Sequence, residues 1–181
     1  PFDRTSIDHA LPAAKAARIA ALVRVAEPTA SAILSVLDNG AAGVLVPHVA
    51  SAATARAVAA ACRYGGAEGR GYAGSTRAAG YGTRRMADIL PRANDQVTVV
   101  AQIEDAAALP EIDAIAVVDG IDALFVGRMD LTVSLGAASP DDPVVVDAVR
   151  AICAAARRHG RAVGMFTPWL FSRGGWKQVR V

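Results

Sequence analysis

Three ionisable residues stand where apolar runs end: Arg24 closes Ala-Leu-Val-Arg, Glu104 closes Val-Val-Ala-Gln-Ile-Glu, and Asp130 follows Leu-Phe-Val-Gly-Arg-Met. If each run is a strand of a βα unit, the three side chains share one rim at the strands' C-terminal ends, where parallel α/β folds carry their chemistry. The two carboxylates offer oxygen ligands with no His or Cys beside them, a donor set that suits a hard divalent ion such as Mg²⁺ or Mn²⁺. Such an ion keeps open positions, and a 2-oxo acid can chelate it through its keto and carboxylate oxygens. That chelation polarises the carbonyl and stabilises an enolate. Arg24, fixed in charge, can donate to the same developing oxyanion. The turn Gly127-Arg128-Met129 can present backbone N–H groups to a substrate carboxylate. The competing reading is that the three charges are solvent-facing strand ends paired in ion bridges.

The elements that would position these groups are legible from the apolar pattern. Strands are predicted at Ala20–Val25, Gly43–Pro47, Val97–Ile103, Ala123–Gly127 and Ala162–Phe166. Between them lie helices from Thr29 to the Asn39-Gly40 stop, from Ser51 to Arg63, and from Pro143 to His159. Alternation of strand and helix predicts a parallel sheet. The segment Tyr64–Gly82 is glycine-rich, obeys neither the helical nor the strand period, and reads as a long functional loop.

The chain has 181 residues, 53% hydrophobic but only 5% aromatic, which predicts one domain with a tight aliphatic core. Its 19 basic and 17 acidic residues are interspersed, so there is no basic tract to track a phosphate backbone, and nucleic acid is not an expected partner. No apolar stretch reaches the ~18–20 residues of a membrane span. A soluble, cytoplasmic protein is expected. Cys62 and Cys153, both in Ala-rich helical patterns, read as buried thiols.

Four segments together carry a family resemblance. Val23 to Val25, Leu-Asp-Asn-Gly-Ala-Ala-Gly-Val-Leu-Val-Pro at 37–47, Gln102-Ile103-Glu104, and Phe-Val-Gly-Arg-Met-Asp-Leu at 125–131 resemble the HpcH/HpaI aldolase and citrate lyase family, in order, over roughly residues 1–166. The resemblance implies a (β/α)8 barrel of about five βα units as given, and a class II pyruvate aldolase. It implies a divalent metal (Mg²⁺, Mn²⁺ or Co²⁺) on Glu104 and Asp130, Arg24 as the catalytic arginine, and Gln102 near the substrate. It also implies a homo-oligomer, a hexamer, acting on a small 2-oxo acid and an aldehyde. A citrate-lyase-like or malyl-CoA-type lyase is the alternative within the family, and a non-catalytic remnant the alternative outside it.

The sequence also departs from the family. The family's Glu-His motif has no counterpart here, Pro1-Phe2-Asp3 resembles the stretch directly after that motif, and residues 168–181 do not resemble the family's last helix and strand. The expectation is therefore a partial barrel over 1–167, cut at both ends, with an anomalous tail. Gly69-Arg70-Gly71-Tyr72-Ala73-Gly74 matches a dinucleotide fingerprint in letters but lacks the preceding strand and succeeding helix, so it reads as loop. His48, after Pro47 at a strand end, is a candidate substitute for the missing histidine. Packing beneath the loop is its favoured role.

Overall fold

A computed structural model describes residues 3–166; the anomalous tail lies outside them. The chain alternates helices and strands as α1 (Arg4–Ala16), β1 (Leu22–Arg24), α2 (Ala30–Asp38), β2 (Gly43–Val46), α3 (Ala52–Cys62), α4 (Met86–Gln96), β3 (Thr98–Ile103), a 3-10 helix (Ala106–Glu111), α5 (Ile112–Ala116), β4 (Ala123–Val126), α6 (Arg128–Ser134), α7 (Pro143–Arg158) and β5 (Ala162–Met165). The five strands form one parallel sheet in the order β1-β2-β3-β4-β5, the arc of a barrel.

Local chemistry accounts for the boundaries. Helix α2 starts where Thr29 accepts the Ala32 N–H, α3 where Ser51 accepts from Thr54, and α7 where Asp142 accepts from Val144. Gly40, at φ +95°, turns the chain from α2 toward β2. Four helices have no range in the sequence pattern, α1, α4, α5 and α6, and the first two carry a proline in their interior, Pro12 and Pro91. Proline removes a helical hydrogen bond, so the apolar period gives no warning there. The segment between α3 and α4 contains turns and one isolated bridge, Tyr64 to Arg70, and no helix.

Alternate strand residues face opposite ways. Val44, Val46, Val99, Ala101, Ile103, Leu124 and Val126 join Ile33, Leu37, Ala55, Val58, Ile115, Leu131 and Ile152 in one core between sheet and helices. Gln102 belongs to the other set, and it receives the Arg24 side chain there. Cys62 and Cys153 are both free and buried, and burial pushes the Cys62 thiol up to about 12, so it is a packing residue rather than a nucleophile.

Candidate active site

Register sets the height of each rim residue. Arg24 pairs with Leu45, Leu45 with Val100, and Gln102 with Phe125, so β3 extends beyond the level at which β1 ends. The Arg24 side chain makes up the difference by reaching across β2: its Nε donates to Gln102 Oε1 at 2.9 Å, and its Nη2 lies 3.9 Å from Glu104 Oε1. Residues 78 positions apart thus meet above the strand ends.

Glu104 is the centre of the cluster and is 1% exposed. One carboxylate oxygen accepts the His48 backbone N–H at 3.0 Å, and the other accepts from the Gln102 amide. Burial raises the Glu104 pKa most, and the like charge of Asp130 adds to the rise; the His48 N–H, the His48 ring and Arg24 pull it back. Gly127 packs over the pair. A Cβ there would stand 2.7 Å from Glu104 Oε2 and 2.9 Å from Gln102 Nε2, so only glycine leaves both site side chains room.

His48 adopts the left-handed region at φ 55°, an uncommon backbone state for a residue with a side chain. This turn aims its N–H at Glu104. Its imidazole does not pack beneath the loop as expected from the sequence; with 57% of the side chain exposed, it stands on the rim, Nδ1 3.2 Å from Asp105 Oδ2 and 3.5 Å from Glu104 Oε1. Asp105 was not among the residues expected from the sequence to join the site. The adjacent acids Glu104-Asp105 at a strand end were the available signal.

The structure brings Arg24, Gln102, Glu104, Gly127 and His48 together. Asp130 lies exposed in the first turn of α6, close enough to act on Glu104 electrostatically. Arg128 turns away: its guanidinium donates to Pro140 O and pairs with Asp141 at 2.7 Å. The Gly127 N–H is occupied by Ile103 O at 3.0 Å, which leaves only the backbone of Arg128 and exposed Met129 open to a ligand in that turn.

The residues fit a hard divalent ion by donor chemistry. Glu104 and Asp130 are oxygen donors whose mutual repulsion a cation would relieve. Among the described residues no third His, Cys, Asp or Glu completes a cluster with them, so they would form an open shell. Binding through Glu104 requires the Gln102 amide to share or release its oxygen.

Comparison with known proteins decides the lineage. The model of the HpcH/HpaI aldolase/citrate lyase family matches residues 3–168. The chain belongs to that family. It is 44% identical over 151 residues to a 4-hydroxy-2-oxovalerate aldolase of Rhodococcus jostii, covering 82% of this chain and 57% of the relative. To a hydroxypyruvate/pyruvate aldolase of Paraburkholderia phytofirmans it is 39% identical, covering 92% of this chain and 66% of the relative. The crystal structure of an HpcH/HpaI family protein from Burkholderia cenocepacia superposes with a TM-score of 0.85 at 35% identity, covering 91% of this chain and 66% of that one. The chain therefore spans between half and two thirds of the relatives it matches. Its five-stranded arc corresponds to that share of an HpcH/HpaI barrel.

Proposed function

We propose that the protein is a carbon–carbon lyase that releases pyruvate, or a close 2-oxo acid, from a 4-hydroxy-2-oxo acid, and runs the addition to an aldehyde in reverse. The observation that carries this reading is the Arg24–Gln102–Glu104 cluster at the strand ends, with Asp130 beside it, in a family whose similar members are named aldolases. A divalent ion on Glu104 and Asp130, Mg²⁺, Mn²⁺ or Co²⁺, would supply Lewis-acid polarisation of the keto oxygen.

The chain's own residues have definable parts in the step. As the bond between C3 and C4 breaks, its electron pair passes into the enolate, and Arg24 donates to the oxygen on which charge gathers. Gln102 holds the Arg24 guanidinium at that height through Nε. The His48 N–H fixes the direction of the Glu104 carboxylate. The substrate carboxylate lies at the start of α6, against the backbone of Arg128 and Met129. The proton leaving the 4-hydroxyl goes to the His48 imidazole, which Asp105 orients at the rim, and is returned to C3 of the enolate to complete pyruvate. Membership of the family supports a cytoplasmic homo-oligomer, a hexamer. Among the described residues no helix is long and apolar enough to cross a membrane.

The test is pyruvate release from a 4-hydroxy-2-oxo acid with Mg²⁺, Mn²⁺ or Co²⁺, monitored by a coupled reduction, alongside malyl-CoA. Metal-dependent release from the former alone is expected. Cleavage of the thioester substrate alone would favour the citrate-lyase-like chemistry, and no release from either would contradict both.

A further inference from the structure

A cavity of about 420 Å³ lies at the opposite end of the sheet from the rim, where the chain enters β1 at Ala20–Ala21, β2 at Ala41–Ala42 and β3 at Gln96–Val97. Among the described residues its charged lining consists of Lys15, Arg18, Arg70 and Arg77, without an Asp or Glu. Nothing in the proposed reaction uses it.

The four cations are not equally committed. Arg77 donates to the carbonyls of Asn39 and Asp8 and to the Tyr81 hydroxyl. Arg70, its side chain only 5% exposed, pairs with Asp38 at 2.5 Å and lies over the Tyr64 ring at 4.6 Å, yet among the described residues its buried Nε has no acceptor. A buried guanidinium nitrogen without a partner carries the full cost of its lost hydration. Lys15 and Arg18 are exposed at the cavity, and among the described residues no carboxylate pairs with either. Three helix C-termini, those of α1, α2 and α4, also converge here, each worth about half a negative charge. Together with Asp38 they offset part of the four positive charges and leave an excess of more than one.

We propose that this cavity binds a small phosphate-bearing anion. The excess charge suits a dianion, and guanidinium forks match phosphate oxygens. The volume falls within the ~300–1,000 Å³ of small-molecule sites, so it has room for the organic part of a phosphate ester beside the phosphate. Lys15 and Arg18, which no carboxylate among the described residues neutralises, supply the donors for the phosphate oxygens from the surface, while Arg70, held by Asp38, and Arg77 add their charge beneath them.

The experiment is equilibrium dialysis of radiolabelled inorganic phosphate against the protein at constant ionic strength. Two variants are compared with wild type: Lys15→Glu/Arg18→Glu, whose exposed positions tolerate the change, and Arg24→Ala at the catalytic rim. One phosphate per chain is expected, weakened about tenfold or more by Lys15→Glu/Arg18→Glu but unaffected by Arg24→Ala. No saturable binding up to roughly 10 mM phosphate overturns the proposal, as does binding that depends on Arg24 instead of Lys15 and Arg18. Displacement of phosphate by succinate at equal concentration overturns it as well, because the site would then select carboxylates.

Discussion

At the residue scale, the decisive contacts join residues far apart in sequence, and side-chain type set what each could do. Arg24→Lys retains charge but loses the planar fork that spans Gln102 and the enolate oxygen; kcat for pyruvate release should fall by ~10²–10³, the usual loss for one oxyanion donor. The free energy of unfolding should change by less than ~0.5 kcal/mol, since the side chain is half exposed. Gly127→Ala should cost about 1–3 kcal/mol in chemical denaturation, because its Cβ meets Glu104 and Gln102. The pKa of Glu104 is raised in the fold, so its contribution to stability is greatest below the unfolded value and is lost as pH rises through the folded one. Metal-free Glu104→Gln should accordingly unfold at a higher temperature than wild type near neutral pH, the gap closing in acid, while losing its activity. The strand-end positions of Arg24, Glu104 and Asp130 were legible because each ends or follows an apolar run, whereas Gln102, inside its run, was singled out only through the family resemblance. The role of the His48 backbone was not, since a left-handed φ on a non-glycine residue leaves no mark in a sequence.

At the scale of elements, all five strands were legible to within a few residues, and so were the helices that begin at Thr29, Ser51 and Asp142 with capping side chains. Helices α1 and α4 were hidden by Pro12 and Pro91, and short α5 lacks two full turns of pattern. A pair of helices distant in sequence is joined at the surface: Asp113 of α5 accepts from Arg158 of α7 at 2.7 Å and lies 2.9 Å from His159 Nε2. These partners, Arg158 first, hold the Asp113 carboxyl below its ordinary range. A lowered folded pKa gives stability that is present above the unfolded value and lost as pH falls through the folded one. Asp113→Asn should therefore lower the thermal midpoint at pH 7 slightly, as exposed ion pairs do, and leave it unchanged in strong acid.

At the scale of the whole molecule, the parallel arc was readable from βα alternation, and the family from four motifs in order; the match over residues 3–168 and the TM-score of 0.85 agree with both. The cationic cavity at the foot of the sheet was not readable, because Lys15, Arg18, Arg70 and Arg77 converge only when α1, the long loop and the strand entries pack together. The proposed chemistry rests on Glu104 and Asp130 acting as one metal site that a 2-oxo acid completes. Mn²⁺ titration monitored by electron paramagnetic resonance, with and without pyruvate, measures it directly on wild type, Glu104→Gln and Asp130→Asn. One bound Mn²⁺ per chain is predicted in wild type, with a spectrum that pyruvate changes, and at least about tenfold weaker binding in each variant. Mn²⁺ bound equally well by either variant, or a wild-type spectrum indifferent to pyruvate, would contradict the account.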